Sequence, residues 1–124
     1  MNLIIFGPPG AGKGTQADFI VNKFNLYKLS TGEVLRNEIK NKTELGQKIS
    51  SIINSGSFVS NDIVKELVEL FISNNKYKDR LIFDGYPRNL IQAKTLNELL
   101  NKYRQKIDLV LKLSVSLETV TKRI

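Results

Sequence analysis

Apolar residues occur along the chain in short continuous runs, and these runs predict strands. The runs cover Leu3–Phe6, residues 26–29, Leu81–Asp84, which ends in a carboxylate, and residues 107–115. Short apolar runs bounded by turn residues are typical of parallel strands that are buried on both faces. We therefore expect these segments to form one parallel sheet.

Between the strands, apolar residues recur every three or four positions, which predicts amphipathic helices. The first helix ends at residues 23–25, a second covers residues 43–54, and a third follows Ser60. Their apolar faces consist of Ala17, Ile20, Val21 and Phe24; of Leu45, Ile49, Ile52 and Ile53; and of Ile63, Val64, Leu67, Val68, Phe71 and Ile72. A polar loop, residues 74–79, separates the third of these helices from the next strand.

Two more helices begin with the spacing of a capping box. In that motif the first side chain bonds the backbone N–H three residues later, and the later side chain bonds back. Ser30 and Glu33 predict one such helix, and Asn89 and Gln92 predict another over residues 89–103.

With a last helix after Ser116, the predicted element order is β-α-β-α-α-α-β-α-β-α. Such alternation predicts an α/β fold with a doubly wound parallel sheet that is covered on both faces. The long helical crossover predicts a small subdomain over the carboxyl ends of the strands, where ligands bind in these sheets. We predict a core at 1–29, a helical subdomain at 30–75 and the continued core at 76–124.

Composition limits the chemistry that the chain can perform. Its 124 residues fit one domain and include neither cysteine nor histidine. Disulfides, zinc–thiolate sites and imidazole acid–base catalysis are therefore excluded for this sequence. Because no apolar run reaches transmembrane length and no signal-peptide pattern is present, we expect a cytoplasmic protein without a membrane partner.

The formal net charge is +7. One interpretation is attraction of polyanions such as nucleotides or nucleic acid. The other is a compositional bias toward lysine, and we favour it because the lysines are scattered rather than clustered. No recognition motif or basic stretch with interleaved aromatic residues occurs, so we expect no nucleic-acid partner.

A glycine-rich segment, residues 7–16, lies between the first strand and the first helix. Gly7, Gly12 and Lys13 have the Walker A spacing, although Gly14 stands where that motif usually has Ser or Thr. Glycines let backbone N–H groups approach phosphates, the helix directs its positive end at them, and the lysine reaches the outer phosphates. The segment therefore predicts a phosphate-binding loop (P-loop).

A second cluster of chemically informative residues follows the third strand. Asp84 ends that strand in the Walker B arrangement, where a carboxylate holds Mg²⁺ through water beside the phosphates. Arg88 follows in a turn, and a guanidinium group is suited to phosphate binding. The alternatives are an aspartate that caps a turn and a surface arginine. We predict catalytic roles for Lys13, Asp84 and Arg88, with Asp84 as the metal-binding residue.

Three segments together resemble the signatures of the adenylate kinase family. They are residues 7–16, 30–36 and 84–88, and they occur in the family's order and at its spacing. Glycine after the lysine is usual in that family. The resemblance implies Mg²⁺-dependent transfer of a phosphoryl group from ATP to AMP, which gives two ADP, in a protein that is a monomer when intact.

The resemblance also assigns residues to the two nucleotides. ATP would bind at Gly10, Ala11, Gly12, Lys13, Gly14, Thr15 and Arg123. AMP would bind at Thr31, Arg36, Ser57, Phe58, Val59, Gly85, Tyr86, Pro87, Arg88 and Gln92. In the acceptor site, the two arginines would hold the phosphate, and Thr31 and Gln92 would contact the adenine. Thr31 favours AMP over pyrimidine monophosphates, since the related uridylate/cytidylate kinases tend to carry alanine there.

Members of this family continue into a lid over ATP, a fifth strand and a closing helix. We therefore expect a P-loop core with a helical AMP-binding insertion that is truncated after the fourth strand. We then expect an exposed edge at residues 107–115, with dimerisation or strand exchange. We also expect weak nucleotide binding and poor turnover. The alternative function is a nucleotide-binding P-loop module without transfer activity, in which Thr31, Arg36, Arg88 and Gln92 would be superfluous.

Overall fold

A computed structural model describes residues 1–7, 12–56 and 59–113. The elements in chain order are β1 (Leu3–Phe6), α1 (Lys13–Phe24), β2 (Tyr27–Ser30), α2 (Thr31–Lys40), α3 (Glu44–Asn54), α4 (Asn61–Ile72), β3 (Leu81–Asp84), α5 (Leu90–Lys102) and β4 (Leu109–Lys112), with a short 3-10 turn at Asn75–Tyr77 before β3. This order confirms the prediction through the fourth strand. The helix predicted after Ser116 lies outside the described residues.

The four strands form one parallel sheet in the order β2-β3-β1-β4. Because β1 lies between β3 and β4, the chain winds to one side of β1 through β2 and β3 and then crosses to its other side. Parallel sheets of this kind bind ligands at their carboxyl edge, beside such a change of direction. The predicted α/β class with a doubly wound parallel sheet is confirmed.

Both faces of the sheet are covered, and β1 shows how. Leu3 and Ile5 pack with Ala17 of α1 on one face. Ile4, which alternates with them, belongs to a larger cluster with α4 and α5 on the other face. The predicted apolar stripe of α4 is confirmed, since its members are buried or partly buried in that cluster.

The helical crossover packs on this second face. Val34 of α2 and Ile49 of α3 are buried in the same cluster as the strand residues Leu29 and Phe83. The division of the chain at residues 30 and 75 stays a prediction. None of the helices in the described part of the chain is long and apolar enough to cross a membrane.

A polar contact joins α4 to α5 beyond their apolar packing. The Glu69 carboxylate accepts hydrogen bonds from Lys102 Nζ and the Tyr103 hydroxyl, each at 2.9 Å. These two donors lower the pKa of the Glu69 carboxyl, with Lys102 contributing more. The two helices therefore meet through both an apolar and an ionic contact.

Helices α2 and α3 approach each other unusually closely. Thr43 caps α3, since its hydroxyl accepts a hydrogen bond from the backbone N–H of Gly46 at 2.9 Å. A Cβ atom at Gly46 would overlap the backbone carbonyl oxygen of Glu38. Glycine is therefore required where α3 begins.

Several local predictions were wrong. Ser30 is the last residue of β2, and its side chain makes no capping hydrogen bond, because its backbone is extended and it pairs with Asp84 in the sheet. Ile53 does not share the buried face of α3 and is 49% exposed. The fourth strand is shorter than the predicted range 107–115, of which residues 114–115 lie outside the described part.

Strand β4 is an edge strand, as expected, because it pairs with β1 alone among the described strands. Leu109 and Val110 on it are about half exposed. Dimerisation or strand exchange through this edge stays a prediction.

Candidate active site

The carboxyl edge of the sheet brings the three predicted segments together. Helix α1 begins there after β1, helix α2 begins there after β2, and the turn of residues 85–89 follows β3. Each segment contributes polar side chains to the same edge because all the strands are parallel.

Lys13 and Asp84 form an ion pair at this edge. Lys13 is the first residue of α1, and its Nζ lies 2.9 Å from Oδ1 of Asp84. The carboxylate oxygen is buried and receives no aligned hydrogen bond from the described residues, so the contact is one between charges. The two residues predicted to act at the triphosphate therefore lie together.

The start of α1 is built differently from the start of its neighbours. Gly12 is left-handed, with a φ of +79°, and gives no side-chain cap. The first turn of α1 contains no acidic residue, whereas α2, α3 and α4 each contain one, and α5, which also has none, is capped by the Asn89 side chain. The uncapped N–H groups and the positive helix end favour an anion at this position.

The predicted ATP-binding residues are only partly described. Lys13, Gly14 and Thr15 form the first turn of α1, and an added Cβ at Gly14 would meet no atom within 4 Å. Gly10, Ala11 and Arg123 lie outside the described residues. Their predicted roles remain predictions.

A cavity of about 230 Å³ lies beside this edge, between α2, α4 and the turn after β3. Its lining residues are Thr31, Gly32, Leu35, Val59, Val64, Gly85, Tyr86, Arg88 and Gln92. Six of them were predicted to contact the acceptor nucleotide, so the structure brings most of that predicted site together. Ser57 and Phe58 lie outside the described residues, and Pro87 is partly buried next to the lining residue Tyr86.

Gly85 lies close to both Arg88 and Thr31 in the lining of this cavity. Its φ is +82°, and an added Cβ would lie 3.3 Å from Arg88 Nη2 and 3.8 Å from Thr31 Oγ1. Arg88 folds over it, since its Nε donates a hydrogen bond to the Gly85 carbonyl oxygen at 2.8 Å. A side chain at residue 85 would therefore both strain the backbone and narrow the cavity.

Arg36 does not line the cavity, but its guanidinium group lies against the lining residue Gly32. An added Cβ at Gly32 would lie 3.3 Å from Arg36 Nη1. No carboxylate among the described residues pairs with Arg36 or Arg88. Both cations are therefore available to an anionic ligand at this end of the sheet.

Gln92 is buried, and both ends of its carboxamide are hydrogen-bonded. Its Oε1 accepts from the backbone N–H of Arg88 at 2.8 Å, and its Nε2 donates to Asn61 Oδ1 at 3.0 Å. Asn89 caps α5 as predicted, through the Gln92 N–H. The reciprocal half of that capping box was wrong, because the Gln92 side chain bonds Arg88 instead of Asn89.

Asn61 was missed by the sequence analysis. It begins α4, and helical spacing places it one turn before the cavity residue Val64 on the same face. The sequence analysis placed Val64 only on an apolar helix face, so no signal in the sequence pointed to Asn61.

Tyr86 is 1% exposed, and its hydroxyl has no hydrogen-bond partner among the described residues. Burial raises the pKa of this phenol to about 12. The Tyr86 hydroxyl is therefore protonated at neutral pH and remains a hydrogen-bond donor.

Comparison with known proteins agrees with this geometry. A model of the adenylate kinase family matches residues 5–124. Over its whole length the chain is 54% identical to an adenylate kinase of Pelagibacter ubique, 46% to one of Mycoplasma mycoides and 45% to one of Fervidobacterium nodosum. It spans 58%, 57% and 57% of the lengths of these relatives, respectively. The family model covers nearly the whole chain and the relatives are similar along all of it, so the chain belongs to the adenylate kinase family.

Proposed function

We propose that this site takes part in transfer of a phosphoryl group from MgATP to AMP, which gives two ADP. The observation that carries the proposal is the continuity of the two halves of the site. Asp84 contacts Lys13 on the donor side, and the next residue, Gly85, lines the acceptor cavity. A phosphoryl group between them would therefore have a short distance to move.

On the donor side, the first turn of α1 supplies the phosphate contacts. Its uncapped N–H groups and positive helix end stabilise negative charge. Lys13 is partly exposed and is held beside Asp84. Its ammonium group can exchange that carboxylate for phosphate oxygens because the lysine side chain is long and flexible.

The residues present fit a Mg²⁺ ion that arrives with ATP. Mg²⁺ is usually held by one or two carboxylates, with waters and phosphate oxygens completing its shell. Asp84 offers one carboxylate whose buried oxygen has no aligned hydrogen bond, and the described residues contain no cluster of three metal-binding side chains. Asp84 would hold the ion through water, and the ion would supply neutralisation of phosphate charge.

On the acceptor side, the polar groups around the cavity are suited to a nucleoside monophosphate. Thr31 and Gln92 line it and would contact the base. Arg88, which also lines it, and Arg36, which lies against Gly32, would hold the phosphate. The attacking phosphate oxygen is already anionic, so no general base is required. A chain without histidine is therefore suited to this reaction, which depends on alignment and charge neutralisation.

The proposal is tested by substituting Arg88. Arg88→Ala should weaken AMP binding about 10- to 100-fold, because a charge-assisted hydrogen bond to phosphate is lost. ATP affinity should stay unchanged, and both affinities are measured by titration calorimetry. Lys106→Ala serves as the control, since it removes the same charge from an exposed residue beyond the amino ends of the strands.

A coupled assay for ADP then distinguishes transfer from binding alone. We expect slow ADP formation that requires ATP, AMP and Mg²⁺ together. Binding of ATP without any binding of AMP would contradict the proposal and support the P-loop module without transfer activity.

A further inference from the structure

We infer that the outer edge of β4 is an interaction surface for a second copy of this chain, and that the two copies pair antiparallel about a two-fold axis at Val110. The inference goes beyond the proposed function and does not depend on it, because none of the predicted nucleotide contacts lies on β4. The partner, the strand direction and the register follow from the backbone and side chains of residues 108–113.

The outer edge of β4 is uncovered in the described part of the chain. This strand pairs with β1 alone among the described strands, and Asp108, Leu109, Val110 and Lys112 are exposed. Soluble proteins usually protect such an edge with proline, a bulge or a covering segment, because free backbone groups pair with another strand. Residues 108–113 contain neither proline nor glycine. The edge is therefore open to a further strand.

The backbone groups that are available at this edge follow from the pairing with β1. Just after β4, the N–H of Leu113 donates to the carbonyl oxygen of Phe6 at 2.8 Å. Successive residues of a strand direct their backbone groups to opposite sides, so Val110 and Lys112 direct theirs away from β1. Just before β4, the N–H of Asp108 donates to the carbonyl oxygen of the residue that precedes β1. The outward donors of the strand are therefore those of Val110 and Lys112.

An antiparallel pair that is centred on Val110 uses these outward groups. The two Val110 residues face each other and exchange both of their backbone N–H···O bonds. A two-fold axis makes the contact identical in both copies, so the assembly closes as a dimer and does not grow into a fibre. A register shifted by one residue would oppose outward groups to groups that point toward β1, and it is therefore excluded.

Charge complementarity selects this register. In the pair centred on Val110, Asp108 of each copy lies opposite Lys112 of the other copy, on the same face of the sheet. Lys112 has no ion-pair partner within its own chain among the described residues. A register shifted by two residues would instead oppose Lys106 to Lys112, or Lys112 to Val110, depending on the direction of the shift. The strand is therefore complementary to itself in one register.

The apolar residues of β4 gain cover in the same register. Val110 and Leu109 are about half exposed and lie on opposite faces of the sheet. In the pair, Val110 packs on its counterpart, and Leu109 lies opposite Leu111, which packs against the cluster on the α1 face. Because the strand is short, the contact is small, and the dimer is expected to be weak.

Sedimentation equilibrium of the chain between about 1 μM and 1 mM tests the inference, since a small contact gives association that depends on concentration. The mean mass should rise toward that of a dimer across this range. Val110→Pro should abolish the rise, because proline removes the outward N–H and leaves the pairing with β1 intact. Val110→Ile keeps that N–H and a branched side chain, and it should still dimerise.

Charge reversal tests the register. Lys112→Asp should raise the dissociation constant about tenfold or more, because two pairs of opposite charge become two pairs of like charge. Lys78→Asp is the matched control, since it makes the same change at an exposed residue outside the sheet and should not raise the constant. Asp108→Lys alone should also fail to dimerise. An equimolar mixture of Asp108→Lys and Lys112→Asp should dimerise, because each carboxylate then faces a lysine.

Circular dichroism shows whether each variant is folded. An unchanged chain that stays monomeric over the whole range would overturn the inference, and so would undiminished association of Val110→Pro. Should the proline variant fail to fold, Lys112→Asp decides. Association as strong as that of Lys78→Asp would then show that the two copies do not pair in this way.

Discussion

At the scale of single residues, Tyr86 combines burial with an unused polar group. Its ring belongs to the main apolar cluster and also lines the acceptor cavity. Its hydroxyl has no partner among the described residues. The folded chain therefore stabilises the neutral phenol strongly over the phenolate, which gives stability a dependence on alkaline pH.

The sign of that dependence follows from the pKa, which rises from 10.0 for an ordinary tyrosine to about 12 in the folded chain. Stability from this residue is fully present below pH 10 and is lost as the pH rises toward 12. Between pH 8 and pH 11, ionisation of Tyr86 should lower the free energy of unfolding of the unchanged chain by about 1.4 kcal/mol. Tyr86→Phe lacks the phenol and should not show this loss.

Urea unfolding of both proteins at pH 8 and pH 11 measures this difference. Tyr77→Phe is the control. Its free energy of unfolding should still fall between pH 8 and pH 11, since this variant leaves Tyr86 in place. Equal alkaline losses in the unchanged chain and Tyr86→Phe would contradict the prediction.

Many site residues could be predicted because three segments of the sequence resemble the signatures of the adenylate kinase family. Thr31, Gly85 and Gln92 line one cavity as expected. The Asn61–Gln92 contact was not predictable, because it depends on how α4 packs on α5. The failed cap at Ser30 has a similar cause, since pairing with Asp84 in the sheet outweighs a local capping preference.

At the scale of elements, the predicted helices and strands agree with the structure to within a few residues. Hydrophobic periodicity indicates which residues of a single helix or strand are buried, so it identified these elements well. It does not report how closely two helices approach. The contact between α2 and α3 at Gly46 was therefore not expected from the sequence.

Gly46→Ala tests that contact. The added methyl group would overlap the Glu38 carbonyl oxygen, and backbone cannot move aside as a flexible side chain can. We expect the free energy of unfolding to fall by about 2–3 kcal/mol, as in an overpacked core.

Gly14→Ala is the matched control, since it makes the same change in a helix where no atom lies within 4 Å. It should leave stability unchanged or raise it, because alanine favours helix more than glycine does. Urea denaturation compares the two variants, and equal stability of both would show that α2 and α3 are not in contact at Gly46.

At the scale of the whole molecule, one buried side chain joins the amino ends of the sheet. Asn2 is fully buried, and its amide donates to Gln105 Oε1 and to the Lys106 carbonyl, each at 3.1 Å. Its oxygen accepts from the Leu81 N–H at 3.1 Å. This one amide therefore links the start of β1, the start of β3 and the segment before β4.

Asn2→Ala should lower the free energy of unfolding by about 3 kcal/mol, because several buried polar groups lose their partners together. Chemical denaturation gives this value, and Asn75→Ala controls for loss of an asparagine at an exposed position. AMP affinity should be unaffected, since the acceptor cavity lies at the opposite edge of the sheet. A stability loss no larger than that of the control would show that the linkage contributes little.

The ion pair between Lys13 and Asp84 has an electrical consequence for how ligands approach. These two charges cancel at a distance, whereas Arg36 and Arg88 have no carboxylate partner in the described part of the chain. At this edge of the sheet, the uncompensated positive charge of the described residues therefore lies with the two arginines. Mobile ions in the solvent should consequently slow the encounter of this edge with an anionic ligand.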